Sequence, residues 1–378
     1  MDFDPGIKIG VLGGGQLGRM MIQSGIDFNL DISVLDPDPN ASCKNLVENF
    51  QVGSLTDFDT VYKFGQSFDL ITIEIENVNT EALKKLQEEG KRVFPQPEVI
   101  EIIKDKGTQK DFYRKNDIPT SEYFLLENKE QLNDHLDFLP AVHKLRTEGY
   151  DGRGVQVLKT ADSLVNGFDA PGVLEKFVDY EKEISVVVAR NLNGETKAFP
   201  VVELEYHPEA NLVEFLFSPS EVGEVIENKA QEVAIDVIEK LGMVGLLAVE
   251  MFVTKSGNIL VNESAPRTHN SGHHSIEANV TSQFEQHIRA IMNLPLGDTH
   301  TKDCAVMINL LGAEGFTGDA VYEGAEIVMA MDNVHLHLYG KKITKPFRKM
   351  GHATILGSDM EQVKRKAKLV KETLVIKA

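Results

Sequence analysis

The sequence predicts an α/β protein whose central part is α+β and whose C-terminal part is small and rich in β-strands. Strands and helices alternate up to about residue 105, which favours a parallel sheet. Strand-like runs about glycine-containing turns then dominate up to residue 297, which favours antiparallel pairing. Short strands rich in histidine and basic residues follow "LPLGDTH". We therefore expect three domains, at 1–105, 106–297 and 298–378.

The first domain begins with a strand, a glycine-rich turn and a helix. "IKIGVLG" is a short apolar strand, and "QLGRMMIQSGIDF" has helical spacing because Leu17, Met20 and Met21 fall on one face. Two further strands are predicted at "DISVLDPDP" and "FDLITIEIENV". An amphipathic helix follows at "NTEALKKLQEEGK", capped by Asn79 or Thr80. This alternation is typical of βαβ units and a parallel sheet.

The turn after the first strand matches G-x-G-x-x-G at Gly13, Gly15 and Gly18. Such glycines let a backbone turn approach a phosphate at a helix N-terminus, and Asp36 lies near the position of a ribose-binding acid. The pattern alone is weak, because a tight strand-to-helix turn without any ligand also satisfies it. NAD binding and an unliganded turn both remain open at this point. A kinase-type phosphate loop, G-x-x-x-x-G-K-[ST], is absent from the sequence.

A second glycine loop, "TEGYDGRG" at Thr147–Gly154, is predicted at the tip of a β-hairpin. Such a loop can fold over a polyphosphate, with backbone N–H groups and Arg153 neutralising its charge. Lys144 lies in the preceding strand, on the same face as Val142 and Arg146, and so is aimed beneath the loop. We interpret this segment as a nucleotide flap; the alternative is an ordinary surface hairpin.

Two glutamates are predicted to face each other across a hairpin in "AVEMFVTKSGNILVNESAPR". If the turn is Ser256-Gly257, Glu250 lies opposite Glu263, and Phe252 lies opposite Val261 on the same face. Opposed carboxylates repel unless a cation lies between them, and Mg²⁺ takes one or two carboxylates together with substrate phosphates. A turn one residue longer would move one glutamate to the other face.

Acidic residues in "VLEKFVDYEKEIS" extend this nucleotide hypothesis. The backbone of Glu175, Lys176, Phe177 and Val178 could read an adenine edge, and Glu183 could hold a ribose hydroxyl. On their own, the two glutamates would be read as surface acids of a β-hairpin.

The segment "ESAPRTHNSGHHS" follows the second glutamate and is rich in polar side chains. His269 and His273 are four residues apart, as zinc ligands on a helix can be. Pro266 and Gly272 argue against a helix, so we discount zinc. We interpret the segment as a substrate clamp.

The tail segment "HLYGKKITKPFRKMGH" concentrates basic side chains in an acidic protein: Lys341, Lys342, Lys345, Arg348 and Lys349. This favours an anion site, such as one for a phosphate. The alternative is a solvated basic patch.

The bulk composition excludes several classes of protein. The formal net charge of -19 argues against a nucleic-acid partner, and no apolar run is long enough to span a bilayer. "MDFDPGIKIG" has neither a basic nor an apolar leader region, so we expect no signal peptide. Cys43 and Cys304 form no disulfide framework or zinc signature, and we expect both to be buried thiols in a cytoplasmic protein.

Five motifs in this order resemble those of the ATP-grasp ligases, and more narrowly the 5-(carboxyamino)imidazole ribonucleotide synthase family. They are "GGGQLGRMM", "EIEN", "GYDGRG", "NESAPRTHNSGHHSIEA" and "HLYGKK…RKMGH", and the resemblance covers nearly the whole chain. It implies an ATP-grasp fold with an N-terminal Rossmann-like domain that binds no NAD. It also implies a glycine-flap subdomain over about 117–180 and a small β-rich C-terminal domain.

The resemblance assigns roles to individual residues. ATP binding is assigned to Lys106, Lys144, Glu148, Gly149, Tyr150, Asp151, Gly152, Arg153, Gly154, Glu175, Lys176, Phe177, Val178, Glu183, His207, Asn262 and Glu263. Mg²⁺ is assigned to Glu250 and Glu263. The ribonucleotide is assigned to Gln16, Leu17, Glu76, Arg267, Asn270, Ser271, Lys341 and Arg348. For the carboxyl transfer that the resemblance implies, our own catalytic candidates are Tyr150, Arg153, Arg267, His273 and Lys341.

The chain departs from the family pattern in places. Lys106 stands where relatives often have arginine, which keeps the charge but loses bidentate geometry. Glu148 replaces a common glycine, and Ala265 stands where the wider superfamily often has an asparagine ligand. A family histidine falls on either Tyr206 or His207, of which we select His207.

The implied activity is ATP- and bicarbonate-dependent carboxylation of the amine of 5-aminoimidazole ribonucleotide, through carboxyphosphate, in purine biosynthesis. The implied cofactor is Mg²⁺, and the implied assembly is a homodimer. Three rivals remain: an NAD oxidoreductase, another ATP-grasp ligase such as a formate-using glycinamide ribonucleotide transformylase, and a non-catalytic nucleotide sensor.

Overall fold

The computed structural model describes residues 4, 6–147, 149, 154–208 and 211–378. Its N-terminal region alternates strands and helices, as the sequence predicts. The strands are β1 (Lys8–Leu12), β2 (Asp31–Asp36), β3 (Phe50–Val52), β4 (Leu70–Ile73) and β5 (Arg92–Val93). The helices are α1 (Gln16–Asp27), α2 (Phe58–Gly65), α3 (Thr80–Glu88) and α4 (Pro97–Lys104).

These five strands form one sheet in the order β3-β2-β1-β4-β5, and every pair is parallel. The predicted parallel sheet is therefore confirmed. Helix α1 packs on one face through Met20 and Met21, and α3 packs on the other through Leu83 and Leu86. The glycine turn follows the carboxyl end of the central strand β1, which is where open α/β sheets bind ligands.

A small sheet follows α5 (Lys106–Lys115), whose N-terminus is capped by Asp105. Its strands are β6 (Tyr123–Leu126), β7 (Ala141–Leu145), β8 (Val155–Leu158) and β9 (Gly172–Lys176). They pair antiparallel in the order β6-β9-β7-β8 over a compact apolar core that includes Leu132 and Leu174. The predicted glycine loop connects β7 to β8, so the small sheet carries it.

The chain then enters a large sheet. The strands of this region are β10 (Tyr180–Arg190), β11 (Thr196–Ala198), β12 (Val202–Tyr206), β13 (Val213–Ser218), β14 (Gly245–Thr254) and β15 (Ile259–Ala265). The helices are α6 (Glu224–Leu241), α7 (Ser275–Ala278) and α8 (Gln283–Ile291). As predicted, α6 ends at Gly242, which takes the left-handed conformation at φ 58° that favours glycine.

The C-terminal region adds strands and two helices. The strands are β16 (Cys304–Leu311), β17 (Gly318–Asp319), β18 (Val321–Glu323), β19 (Val334–Leu338), β20 (Ile343–Thr344), β21 (Lys349–Gly357) and β22 (Val375–Lys377). The helices are α9 (Ala325–Met329) and α10 (Met360–Thr373). Its strands are not all short, because β16 and β21 have 8 and 9 residues.

Nine of the described strands join in the large sheet, in the order β15-β14-β10-β12-β13-β16-β21-β19 with β11 against β10. All of these pairs are antiparallel. The sheet runs without a break from the central region into the C-terminal region, so the domain boundary at 297/298 stays a prediction. Helix α6 covers β10 and β14, and α10 covers β16 and β21.

The structure bears on two further expectations, which concern membrane-spanning segments and the burial of the two cysteines. In the described part of the chain, no helix combines the length and apolar character that crossing a bilayer requires. Cys43 is buried and Cys304 is partly exposed, and both are free thiols. The expectation that both cysteines are buried is therefore wrong for Cys304, which begins β16 at the margin of the large sheet.

Candidate active site

The hairpin between β14 and β15 has a longer loop than predicted. The Thr254 N–H donates to the Asn258 carbonyl at 2.9 Å, which leaves residues 255–257 as the loop. Gly257 takes a left-handed φ of 76°, a conformation that glycine adopts without steric penalty. The two-residue turn predicted at Ser256-Gly257 is therefore wrong.

This loop shifts the register of the strands near it by one residue. Phe252 lies opposite Leu260 and not, as predicted, opposite Val261. Because side chains alternate between the two faces of a sheet, the same shift continued along the hairpin would turn Glu263 away from the face of Glu250.

A bulge in β15 reverses the shift. Asn262 is an extra residue in this strand, and beyond it Glu263 is the direct partner of Glu250. The predicted opposition of the two carboxylates is confirmed, although the turn beneath them was mispredicted. Because two residues of the bulged strand share one partner, Asn262 and Glu263 both line the same cavity.

A cavity of about 230 Å³ lies between the small sheet and the large sheet. It brings together most of the described residues that were predicted to bind ATP or Mg²⁺: Lys106, Lys144, Gly149, Glu175, Lys176, Phe177, Val178, Glu183, Glu250, Asn262 and Glu263. The side chain of Lys176 donates to the Phe138 carbonyl at 2.9 Å, so the predicted contact of Lys176 depends on its backbone.

Apolar side chains form the other part of the cavity wall. The Tyr180 and Phe252 rings stack with centroids 4.6 Å apart, and Phe177 and Val157 are both exposed. One end of the cavity is therefore apolar and the other is charged. Such a combination suits a ligand with a flat base and an anionic tail.

Two lysines line the charged end together with Glu175, Glu250 and Glu263, and a third lysine lies behind Glu175. Lys106 forms an ion pair with Glu263. Lys144 Nζ lies 2.9 Å from Glu175 Oε1 and donates to Asn262 Oδ1 at 2.7 Å. Lys110, which was not predicted, lies 2.8 Å from the other oxygen of Glu175. Lysines 106 and 110 share one face of α5, since they are four residues apart.

Burial and the neighbouring lysines together set the pKa of Glu175. Burial alone would raise this pKa, but Lys110 and Lys144 outweigh burial and lower it to about 2. Burial lowers the pKa of Lys110 to about 8 although Glu175 opposes the change. Both groups therefore carry charge at pH 7.

The opposed glutamates have divergent pKa values. Burial, reinforced by the charge of Glu263, raises the pKa of Glu250. Lys106 lowers the pKa of Glu263. In the absence of a cation, the pair is therefore relieved by a proton on Glu250, and a divalent cation would take the place of that proton.

Glu183 and Tyr206 face each other in the cavity. Burial raises the pKa of Glu183 to about 7, and a hydrogen bond from Tyr206 opposes the increase. His207 lies outside the cavity wall, where its ring contacts Phe347 at 5.5 Å and its Nε2 lies 3.9 Å from Glu214. The structure thus places Tyr206, and not the selected His207, beside Glu183, the residue predicted to hold a ribose hydroxyl.

Residues assigned to the ribonucleotide join distant parts of the chain. Arg267 Nη2 lies 2.9 Å from Glu76 Oε1, which links the segment after β15 to the segment after β4. Lys341 Nζ donates to Gln16 Oε1 at 2.9 Å, which links the C-terminal region to the start of α1. These pairs bring four of the eight assigned residues into two contacts between regions.

The other assigned residues occupy different environments. Asn270 exchanges amide hydrogen bonds of 2.8 and 2.9 Å with Asn309, and Ser271 is buried beside Ser185. Arg348 donates to the Ile343 carbonyl at 2.5 Å. The Leu17 backbone N–H donates to Glu74 rather than pointing into open space.

Two histidines of the predicted substrate clamp, His269 and His273, lie at different distances from the carboxylate pair. His269, which was not selected, has its Nε2 3.9 Å from Glu250 Oε1 and its Nδ1 3.0 Å from Ser271 Oγ. His273, which was selected, has no exposed surface and packs against Phe284. The structure therefore brings His269 to the carboxylate pair and does not bring His273 there. Strand alternation could not have identified His269, because β15 ends at Ala265.

The glycine turn before α1 is filled by acidic side chains of the protein. Glu74 accepts from the Leu17 N–H at 3.2 Å, and a Cβ at Gly15 would lie 2.5 Å from the Glu74 carboxylate. Asp36 accepts from the Gly14 N–H at 2.6 Å. A dinucleotide would need these positions for its pyrophosphate and ribose, so the arrangement argues against NAD.

Part of the predicted flap lies outside the described residues. This applies to Glu148, Tyr150, Asp151, Gly152 and Arg153, whose assigned contacts stay predictions. Gly149 and Gly154 are described, and the Gly154 carbonyl accepts from the Leu145 N–H at 2.8 Å.

Three family models match the chain in sequence. They are the ribonucleotide synthetase preATP-grasp domain at 7–104, the ATP-grasp domain at 111–284 and the phosphoribosylaminoimidazole carboxylase C-terminal domain at 305–366. The N5-carboxyaminoimidazole ribonucleotide synthase of Bacillus subtilis is 36% identical, over 93% of this chain and 92% of that protein. The chain belongs to the N5-carboxyaminoimidazole ribonucleotide synthase family. It is therefore an ATP-grasp ligase by family, and the resemblance drawn from its motifs is confirmed.

Longer relatives contain this family as one part. The chloroplastic phosphoribosylaminoimidazole carboxylase of Vigna aconitifolia is 38% identical over 94% of this chain, but the chain spans only 65% of that protein.

Solved structures of the family have the same fold. The N5-carboxyaminoimidazole ribonucleotide synthetase of Thermotoga maritima has a TM-score of 0.91 and 42% identity, covering 98% of this chain and 99% of that one. The enzyme of Aspergillus clavatus in complex with ADP and 5-aminoimidazole ribonucleotide has a TM-score of 0.88 and 30% identity, covering 98% of each chain. The predicted ATP-grasp fold is confirmed.

Proposed function

We propose that this chain carboxylates the amine of 5-aminoimidazole ribonucleotide, using ATP and bicarbonate, in purine biosynthesis. The observation that carries the proposal is the cavity in which the opposed Glu250 and Glu263 meet Lys106 and Lys144. Membership of the synthase family supports the choice of substrate, because relatives bear that name and one was solved with ADP and this ribonucleotide.

The charged end of the cavity suits the phosphates of ATP. Among the described residues, Asn262 and Glu175 use two of the three N–H donors of Lys144, which leaves the third for a phosphate oxygen. The apolar end, with Phe177 and Phe252, suits the adenine ring. Tyr206 and Glu183 lie between the two ends and suit the ribose hydroxyls.

The opposed carboxylates fit Mg²⁺. They provide hard oxygen ligands, and their mutual repulsion, seen in the raised pKa of Glu250, is what a divalent cation relieves. No group of three or more His, Cys, Asp or Glu ligands occurs in the described part of the chain, so phosphate oxygens and water would complete the coordination. When bound, Mg²⁺ supplies neutralisation of charge on the phosphates.

The proposed reaction has two steps. A bicarbonate oxygen attacks the γ-phosphorus of ATP, the bond from that phosphorus to ADP breaks, and carboxyphosphate forms. The C–O bond to phosphate then breaks, phosphate leaves, and the carboxyl group passes to the amine nitrogen directly or as CO₂, with loss of a proton from the amine. Lys144 holds the phosphates and stabilises the transferring charge.

The ribonucleotide is proposed to bind where Arg267 meets Glu76 and Lys341 meets Gln16. His269 connects this region to the ATP cavity, because it lies between Ser271 and Glu250. A carboxyphosphate formed at the carboxylate pair would therefore arise next to the amine that receives the carboxyl group. Tyr150 and Arg153, which lie outside the described residues, remain predicted candidates for orienting these steps.

We also propose a cytoplasmic location and a homodimer. The two free cysteines support a reducing compartment. The homodimer is carried over from the family resemblance, and light scattering of the purified chain tests it.

The proposal is tested by ADP release from the purified chain with candidate amines. We expect release that requires both 5-aminoimidazole ribonucleotide and bicarbonate and that ignores NAD(H). Stimulation by glycinamide ribonucleotide with formate, without stimulation by 5-aminoimidazole ribonucleotide, would assign the chain to the rival ligase. Binding of NADH without ATPase activity under any condition would overturn the proposal.

A further inference from the structure

Lys110 is a charged side chain buried beneath the candidate active site. It is 2% exposed, and its Nζ lies 2.8 Å from Glu175 Oε2, 2.8 Å from Thr120 Oγ1 and 3.1 Å from Ser121 Oγ. These three acceptors use all three N–H donors of the ammonium group. Lysine is almost never fully buried unless it is paired, so this position has a specific electrostatic environment.

Glu175 connects Lys110 to the cavity. It is 3% exposed, with one oxygen on Lys110 and the other 2.9 Å from Lys144 Nζ. Lys144 lines the cavity, whereas Lys110 does not. The two lysines and one carboxylate together carry a net charge of +1. Without Lys110, Lys144 and Glu175 would be a neutral pair, and the field of Lys144 at the phosphates would be largely cancelled.

We propose that Lys110 is a positioning residue for nucleotide binding, which neutralises Glu175 so that Lys144 presents a net positive charge to the phosphates. Glu175 then fixes the position of Lys144 without cancelling its charge. This inference deepens the proposed function and rests on it.

A purely structural role makes a different prediction. Lys110 lies on α5 and Glu175 on β9, so the pair also fixes the small sheet to that helix. If this were its only role, removing either partner would destabilise the fold, and removing both would not restore nucleotide affinity. If charge balance is the role, removing Glu175 from a chain that already lacks Lys110 restores the net charge of +1 and with it the affinity.

The experiment compares the full chain with Lys110→Met, Glu175→Gln and the double variant. The probe is adenylyl imidodiphosphate with Mg²⁺, titrated calorimetrically, and thermal melting reports folding. Lys115→Met is the matched control, since it removes an exposed lysine from the same helix. We expect Lys110→Met to weaken binding by about tenfold and the double variant to recover most of that loss. Lys115→Met should bind as the wild type does.

Unchanged binding in Lys110→Met would overturn the inference, and so would a double variant as weak as Lys110→Met. If Lys110→Met is unfolded, the double variant decides: affinity within about threefold of the wild type supports charge balance, and a loss of about tenfold or more overturns it. A wild-type chain that does not bind the probe would instead overturn the proposed function.

Discussion

Glu250 and Glu263 face each other across a hairpin whose register changes between its loop and this pair. The three-residue loop shifts the register by one residue, and the bulge at Asn262 shifts it back. The bulge also brings the Asn262 amide next to Lys144, at 2.7 Å from Nζ. One irregularity in β15 therefore provides both the carboxylate pair and a partner for the cavity lysine.

Replacing Glu263 by glutamine should nearly abolish turnover while the fold is retained. The amide removes one anionic ligand from the predicted Mg²⁺ site and the partner of Lys106. We expect ADP release to fall by at least about a hundredfold, since metal-assisted charge stabilisation contributes several kcal/mol. Steady-state kinetics and thermal melting measure the two effects.

Glu239→Gln, which changes an exposed residue of α6, is the matched control and should keep wild-type turnover. Wild-type turnover in a chain that carries both Glu250→Gln and Glu263→Gln would contradict the assignment.

The bulge marks a limit of what the sequence predicts. Alternation in β14 and β15 correctly indicated two glutamates on one face, but it reached this result with a turn that is one residue too short. Loop length and the bulge each shift the register by one residue, and no local pattern distinguishes two shifts that cancel from none. The opposition of Glu250 and Glu263 was thus predictable, while the position of Asn262 was not.

Replacing Arg348 by alanine should weaken binding of the ribonucleotide and leave nucleotide binding intact. Arg348 is assigned to the substrate phosphate, and a charge-assisted hydrogen bond contributes enough for an increase of about 10- to 100-fold in KM for 5-aminoimidazole ribonucleotide. Kinetics with each substrate varied in turn separate the two constants. Arg365→Ala, at an exposed position of α10, provides the control. An increase confined to the KM for ATP would contradict the assignment of Arg348 to the ribonucleotide.

The sequence also did not predict which charged side chains are buried by contacts with distant parts of the chain. Lys110 lies in the charged segment "KDKGTQKDFYRKNDIPT", in which a lysine is expected to be solvent-exposed. It is instead 2% exposed, because it pairs with Glu175 of a strand 65 residues later in the chain. Glu74 similarly fills the glycine turn from β4's carboxyl end. Such contacts depend on sheet order, which periodicity does not encode, whereas the helix ending at Gly242 is encoded locally and was predicted correctly.

Acid should destabilise the fold through histidines that are buried in the neutral form. His287 is 1% exposed, and burial lowers its pKa from 6.5 to about 4. Below about pH 6.5 this histidine binds a proton in the unfolded chain but not in the folded chain. The contribution of neutral His287 to the free energy of unfolding is therefore fully present above that pH and is lost as the pH falls towards 4. His287 alone accounts for up to about 3 kcal/mol of this loss.

His287→Gln should therefore reduce the fall in Tm between pH 7 and pH 5 by about 2–4 °C. Glutamine can still bond Thr72, whose Oγ1 lies 3.0 Å from His287 Nε2. His335→Gln, at an exposed position of β19, should leave the pH dependence unchanged. Equal falls in Tm for His287→Gln and the wild type would show that His287 is not protonated on unfolding.

Bicarbonate activation is the central claim, and transfer of oxygen from labelled bicarbonate to phosphate tests it most directly. The proposed route joins a bicarbonate oxygen to the γ-phosphorus and later breaks the C–O bond, so that oxygen leaves with the phosphate. With ¹⁸O-bicarbonate, ATP, Mg²⁺ and 5-aminoimidazole ribonucleotide, we expect one ¹⁸O atom in each phosphate released, measured by mass spectrometry. Phosphate that contains no ¹⁸O, because its fourth oxygen comes from solvent water, would contradict the account.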